Sequence, residues 1–171
     1  MGRQASRQGA RRGSRRRGRR ADRLEAARIR DEIATHGVAV VEGRLRLGGR
    51  SWRTHYTVGL TRHEGHPEII VVGVCCQCAE AILLGAADRV REGVRLGAGW
   101  GLRVEGWLHV LIDVDDPEDL PAAQRLYRAA GGRPVPALQA IATDEFGELP
   151  WESGIGSELI LGPAPRYSGD T

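Results

Sequence analysis

Apolar and polar positions alternate most clearly where Tyr56, Val58 and Leu60 are separated by Thr57 and Gly59. A period of two predicts a half-buried strand over residues 53–60. Ile69, Ile70, Val71 and Val72 then form an unbroken β-branched run. Such a run suits a central strand, residues 68–74, buried on both faces. Between the two, Glu64-Gly65 and His66-Pro67 punctuate the chain. Glycine permits a positive φ, and proline biases His66 toward extended geometry. The two strands are expected to be neighbours, with a polar turn holding His63, His66 and Glu68 at one end of the sheet. The interior is expected to condense on them.

The same periodicities place the other elements. Ala26, Ile29 and Ile33 make a narrow apolar stripe, which predicts a helix over 21–35 that Gly37 stops. Residues 38–41 read as a first strand. Gly43 and Gly48-Gly49 break the chain around a short strand at 44–47. Ala79, Ile82, Leu83, Ala86 and Val90 share one face of a helix over 79–90. A glycine-rich loop surrounds Trp100, and residues 102–105 and 107–114 form a hairpin about Gly106. Asp116 as N-cap, Pro117 at N1 and the acids that follow predict a helix from 117 to about 130. Residues 136–143 are a further strand, 144–147 a turn, and Pro150-Trp151 closes the domain. Leu159, Ile160 and Leu161 form an edge strand or a docking tail. The class is α+β: one mostly antiparallel sheet with two or three helices packed on it. The expected organisation is a tail at 1–20, a single domain at 21–155 and an extension at 156–171.

Composition changes this picture at the N-terminus. The net charge of +3 conceals an asymmetry, because 12 of the 25 basic residues, all Arg, lie in residues 1–30 against only Asp22 and Glu25. The remainder is therefore net acidic. Residues 1–20 have too little apolar content to offset the entropy of ordering and are expected to be disordered. Phosphate neutralisation by these arginines would give weak, non-specific nucleic-acid binding. No aromatic residue interleaves them for base stacking. A plain solvated tail, or a start assigned too far upstream, accounts for the same composition. No apolar run approaches the length of a membrane span, and no apolar segment of a secretory signal follows the charged N-terminus. Three Cys crowded into positions 75–78 make no disulfide framework. These features point to the cytoplasm and to no membrane partner.

Candidate chemistry is sparse. His63, His66 and Glu68 could ligate a divalent metal or act as acid and base near neutral pH. Tyr56, Thr57 and Thr61 could line a cavity with their hydroxyls. The bland alternative is a solvated turn between ordinary strands, and it is the stronger for His63 and His66. Cys75, Cys76 and Cys78 lack a fourth ligand for zinc. Cys78 at a helix N-terminus could be a reactive thiol, although free cysteine is more often a small buried apolar residue. Asp144, Glu145, Glu148 and Glu152 around Trp151 read as a solvated acidic turn. The glycines at 97–101 open no helix and precede no Lys, which excludes a phosphate loop, and no nucleophile elbow is present.

Two patches carry a resemblance. One is Tyr56, Thr57, Val58, Gly59, Leu60 and Thr61 followed by His66, Pro67, Glu68 and the apolar strand. The other is Leu138-Gln139, Asp144, Gly147 and Pro150-Trp151-Glu152. In this order and spacing the chain resembles the bacterial family named domain of unknown function 4262, over residues 34–155. The resemblance implies a small bacterial domain and no established activity. His66, Pro67 and Glu68 match the family pattern, His63 less closely, which weakens a two-histidine metal site.

Two readings of function follow. The first is a non-catalytic binding or regulatory module that engages a protein partner through its sheet face or loop ends. The alternative is a small ligand-binding enzyme, metal- or flavin-dependent, with its site at the His66/Glu68 turn beside Tyr56 and Thr61. The flavin version rests on analogy with split-barrel folds alone. A cavity onto which His66, Glu68 and Tyr56 converge would favour the enzyme, and a flat surface there the binding module.

Overall fold

The computed structural model describes residues 4–128, 132–154 and 156–163, with side chains described from residue 20 onward. Among the described residues six strands form one sheet in the order β1-β2-β3-β6-β5-β4. They are β1 (Ala39–Leu47), β2 (Arg50–Val58), β3 (Glu68–Val72), β4 (Gly101–Val104), β5 (Trp107–Asp113) and β6 (Ala137–Ala142). All pairings are antiparallel except that of β3 with β6. The helices are α1 (Gln4–His36), α2 (Cys76–Arg91), α3 (Pro121–Tyr127) and the single turn α4 (Pro150–Ser153). This is the expected α+β class. The sheet is open, with β1 and β4 at its edges, so it lacks the closure of the split barrel offered as an analogy.

Helices cover both faces. On one face α2 packs Ala79, Ile82, Leu83, Ala86 and Val90 onto Ile69, Val71, Leu111 and Leu138. On the other, Ile29 and Ile33 of α1 and Ala122 and Ala123 of α3 pack onto Tyr56, Val58, Ile70 and Val72. A smaller cluster joins Val110, Ile112 and Ile141 to Leu149 and Trp151. The β-branched run of β3 is buried at every position, as expected for a strand enclosed between two layers.

Several expectations are corrected. The stretch at Tyr56 is not half-buried, because Thr57 and Gly59 are buried as well. β2 stops at Val58, and Leu60–Arg62 form a 3₁₀ turn. Leu60 thereby joins the α2 layer, while Tyr56 and Val58 belong to the opposite one. The two short strands expected at 38–41 and 44–47 are one strand. Gly43 does not break it but lies against β2, where a Cβ would stand 2.9 Å from Thr54 Oγ1. Gly48 and Gly49 make the hairpin turn, both at positive φ (56° and 79°) as a two-residue turn of matching twist requires.

The helix expected over 117–130, of which 129 and 130 lie outside the described residues, is two pieces, a 3₁₀ turn at Pro117–Asp119 and then α3. Asp116 caps the first piece by accepting from Glu118 N–H at 3.1 Å. Pro121 supplies no N–H and holds Leu120 outside the helical region, so the helix must restart. Helical backbone in α1 extends upstream of the predicted 21–35, and its buried residues are the predicted Ile29 and Ile33. The nucleic-acid expectation falls on residues 1–20, and the side chains of 1–19 lie outside the described ones. Among the described residues no helix is long and apolar enough to cross a membrane.

Two buried glutamines do the work of missing strand partners. Gln124 donates to Pro117 O and Val135 O and accepts from Val135 N–H, each at 2.9 Å. Gln139 donates to Leu159 O at 2.8 Å and accepts from Leu161 N–H at 2.7 Å. Leu161 is buried and its carbonyl accepts from Asp115 N–H. Residues 159–161 are therefore a docked tail and not a paired strand. Replacing Gln139 with Leu should cost about 1–3 kcal/mol by orphaning Leu161 N–H and Leu159 O. Hydrogen exchange should show the loss of protection concentrated at residues 159–161, and urea unfolding should give its size.

Candidate functional site

Glu68 opens β3, and its side chain is wholly buried. Isolated burial of a carboxylate is costly, so its partners decide what it does. Five donors meet it. Oε1 accepts from Gly59 N–H at 3.0 Å, Thr61 N–H at 3.1 Å and Thr61 Oγ1 at 2.8 Å. Oε2 accepts from Thr57 Oγ1 at 2.7 Å and Leu60 N–H at 3.2 Å. Thr57 Oγ1 in turn accepts from Ile69 N–H at 2.8 Å. Burial pushes the Glu68 pKa above the ordinary carboxylate value, and the bonds from Thr61, Gly59 and Thr57 oppose that rise. The carboxylate thus gathers the backbone donors of the 3₁₀ turn, and no lone pair is left over for a metal or a substrate proton.

The backbone that presents those donors depends on Gly59, at φ 132°. A Cβ there would lie 3.1 Å from Gly37 O and 3.3 Å from Val38 Cα. Only glycine meets both conditions. Thr57, Gly59, Leu60 and Thr61 thus matter together, whereas sequence reasoning placed Gly59 and Leu60 in a strand and offered the Thr57 and Thr61 hydroxyls to a cavity. The signal available was a glycine between two threonines just ahead of an acid that leads a buried strand.

His66 is buried 2% exposed, with both ring nitrogens engaged. Nε2 accepts from Leu96 N–H at 3.0 Å, which leaves Nδ1 as the donor to Pro67 O at 2.7 Å. Burial lowers its pKa, and Arg95 and His63 add to that effect against the bond to Pro67. His63 is half-buried. With His66, Val90, Arg91, Val94 and Arg95 it lines a recess of about 210 Å³. That recess does not include Glu68 or Tyr56.

Tyr56 lies with the α1 and α3 layer, and its hydroxyl accepts from Ala122 N–H at 3.3 Å. Burial raises its pKa. Among the described residues no group of three or more His, Cys, Asp or Glu is arranged to hold a metal ion. The structure therefore brings Glu68 together with Thr57 and Thr61, ties His66 to Leu96, and turns Tyr56 to α3. The histidine–acid spacing does not make one cavity.

His55 and His109 are buried in β2 and β5, each with Nδ1 lacking a hydrogen-bond partner among the described residues. The cysteines, expected to be buried, are all exposed at the start of α2. Asp144 organises the acidic turn by accepting from Phe146 N–H and Glu148 N–H. Trp151 packs at the edge of the smaller core cluster, as expected.

Two tests follow. Glu68→Ala orphans two buried N–H groups, of Gly59 and Leu60, and a partly buried one, of Thr61, and should cost at least about 3 kcal/mol in urea unfolding, with Glu68→Gln intermediate. A cost below about 1 kcal/mol in Glu68→Ala would contradict the clamp. Burial and the donation of Leu96 N–H to Nε2 disfavour the charged imidazole, so the unfolded chain takes up this proton more readily than the fold does. Its contribution is complete above the ordinary imidazole value of 6.5 and is lost as pH falls below it, with a slope of at most about 1.4 kcal/mol per pH unit. Thermal melts between pH 7.5 and 5 should show a shallower acid decline in His66→Gln than in the wild type.

Comparison with known proteins agrees with the geometry in pointing to no named reaction. No curated protein and no solved structure matches the chain. The family model described as "Domain of unknown function (DUF4262)" matches residues 32–156, a span that takes in the whole sheet, the Glu68 clamp and the turn at Asp144, and the chain belongs to that family.

Proposed function

We propose that this chain is a non-catalytic binding module that engages a protein partner at the β4–β5 edge of its sheet. The observation that carries the reading is where its few aromatics stand. The chain has four Trp, three Tyr and one Phe, yet Trp100, Trp107 and Phe146 are 50%, 51% and 81% exposed. All three belong to one side of the sheet. Trp100 leads into edge strand β4, and its carbonyl accepts from Leu111 N–H. Trp107 opens β5. Phe146 stands in the turn after β6, beside the point where Thr143 N–H donates to Leu108 O.

Trp107 and Leu108 line a concavity of about 580 Å³ with Arg103, Glu105, Thr143 and Asp144. Large exposed aromatics beside a polar rim are the composition of interaction hot spots. Among the described residues β4 pairs only with β5, so its outer backbone groups are open to an added strand. The rim carries Glu105, Asp144 and Glu145 against Arg103. It suits a partner segment that combines an apolar anchor with basic residues. The alternative, an enzyme at the His66/Glu68 turn, loses support because those side chains are spent on internal hydrogen bonds and face no common cavity.

The test is affinity purification of the chain with chemical cross-linking from its native cells, comparing wild type, Trp107→Ala, Phe146→Ala and His63→Ala. Partners recovered by wild type and His63→Ala should be lost at least tenfold from Trp107→Ala and Phe146→Ala, with melting temperatures within 2 °C of wild type as is usual for about 0.5 kcal/mol at a surface site. Equal recovery across all variants would overturn the reading.

A further inference from the structure

The three cysteines are not absorbed by any reading above. They follow β3 directly, at the point where the chain passes from the sheet into α2. Cys75 is the N-cap residue of that 16-residue helix, and its Sγ accepts from Cys78 N–H at 3.3 Å. The N-cap side chain folds over the first turn, so residues 75 and 78 face each other while 76 points elsewhere. Cys76 is held apart, its Sγ accepting from Arg53 Nη1 at 3.2 Å, and Arg53 also pairs with Glu42 at 3.4 Å. All three sulfurs are open to solvent. Among the described residues they do not converge with any His, Asp or Glu as a metal set. What remains is a strand, a Cys-x-x-Cys and a helix, which is the arrangement in which a paired thiol is reactive.

We propose that Cys75 and Cys78 form a reversible dithiol–disulfide couple that exchanges with low-molecular-weight disulfides, Cys75 attacking and Cys78 resolving. The step balances as follows. The Cys75 thiolate attacks one sulfur of the external disulfide, a mixed disulfide forms, and one thiolate leaves. Cys78 gives up its proton and attacks Cys75 Sγ. The mixed disulfide breaks, and the second external thiol departs. Two protein thiols are oxidised to one intramolecular disulfide, and one external disulfide is reduced to two thiols.

The asymmetry between the two sulfurs follows from their places on the helix. Cys75 receives the Cys78 thiol and the Cys78 N–H, which favour its thiolate and lower its pKa. Cys78 donates to Cys75 and has its pKa raised. On sequence alone Cys78 was the candidate for a reactive thiol, set against the more frequent role of a small buried apolar residue, whereas here that role passes to Cys75. A cysteine at N-cap collects the first-turn donors, whereas one at N3 supplies one of them. Cys78 lies within reach of the charge of Glu105, which lines the concavity beside Trp107, but thiol exchange needs only the two sulfurs and no bound partner, so the two readings are tested separately.

The experiment treats the reduced full-length chain with oxidised glutathione, quenches with acid, labels free thiols with a maleimide and reads intact mass. Wild type should lose two hydrogens and accept one label, on Cys76. Cys76→Ser should form the same disulfide and accept none. Cys78→Ser should stop as a glutathione adduct on Cys75. Cys75→Ser should react at least tenfold more slowly than wild type. Circular dichroism checks that each variant is folded, and serine at position 75 can still cap the helix. Failure of Cys76→Ser to form an intramolecular disulfide would overturn the proposal. So would a disulfide that includes Cys76, or a Cys75→Ser variant that reacts as fast as wild type.

Discussion

A carboxylate with no access to water sits where the central strand begins. Glu68 accepts from three backbone N–H groups and two hydroxyls of residues 57–61. Without it the buried N–H groups of Gly59 and Leu60 and the partly buried one of Thr61 would have no acceptor, since the 3₁₀ turn at Leu60–Arg62 offers them none. The turn can therefore enter the core only because the acid is there. Leu60, which that turn carries into the α2 layer, is itself fully buried. The clamp thus joins the two helical layers through one side chain. Its stability is a matter of fully satisfied partners, since a half-satisfied network in this place would be worse than an apolar one.

His66 extends the same logic by one step. Its imidazole bridges Pro67 O to Leu96 N–H, and so ties the start of β3 to the loop that follows α2. Gln124 and Gln139 act similarly for the segments that flank β6. The fold uses polar side chains as substitutes for strand partners wherever the chain turns inside the protein. This explains why the densest polar cluster in the chain is an internal hub. Surface features suited to recognition lie elsewhere, at the β4–β5 edge with its exposed aromatics and at the thiols that open α2.

Local pattern determined much of this protein. The β-branched run of β3, the apolar faces of α1 and α2, the glycine hairpin turns and the Asp116 cap are all set by residues within a few positions of one another. The membership of the family was also readable, because its matching residues lie in two short patches. Only the tertiary structure decided which faces were covered. Tyr56 and Thr57 look like two sides of a half-exposed strand until α2 closes over the second side. Only the tertiary structure, likewise, decided what His66 and Glu68 do, because their partners are set by distance in space. Leu96 stands 30 residues from His66, and the donors to Glu68 arrive only after Gly59 reverses the backbone. Spacing along a chain records which chemical groups are present, whereas packing decides which of them are already satisfied.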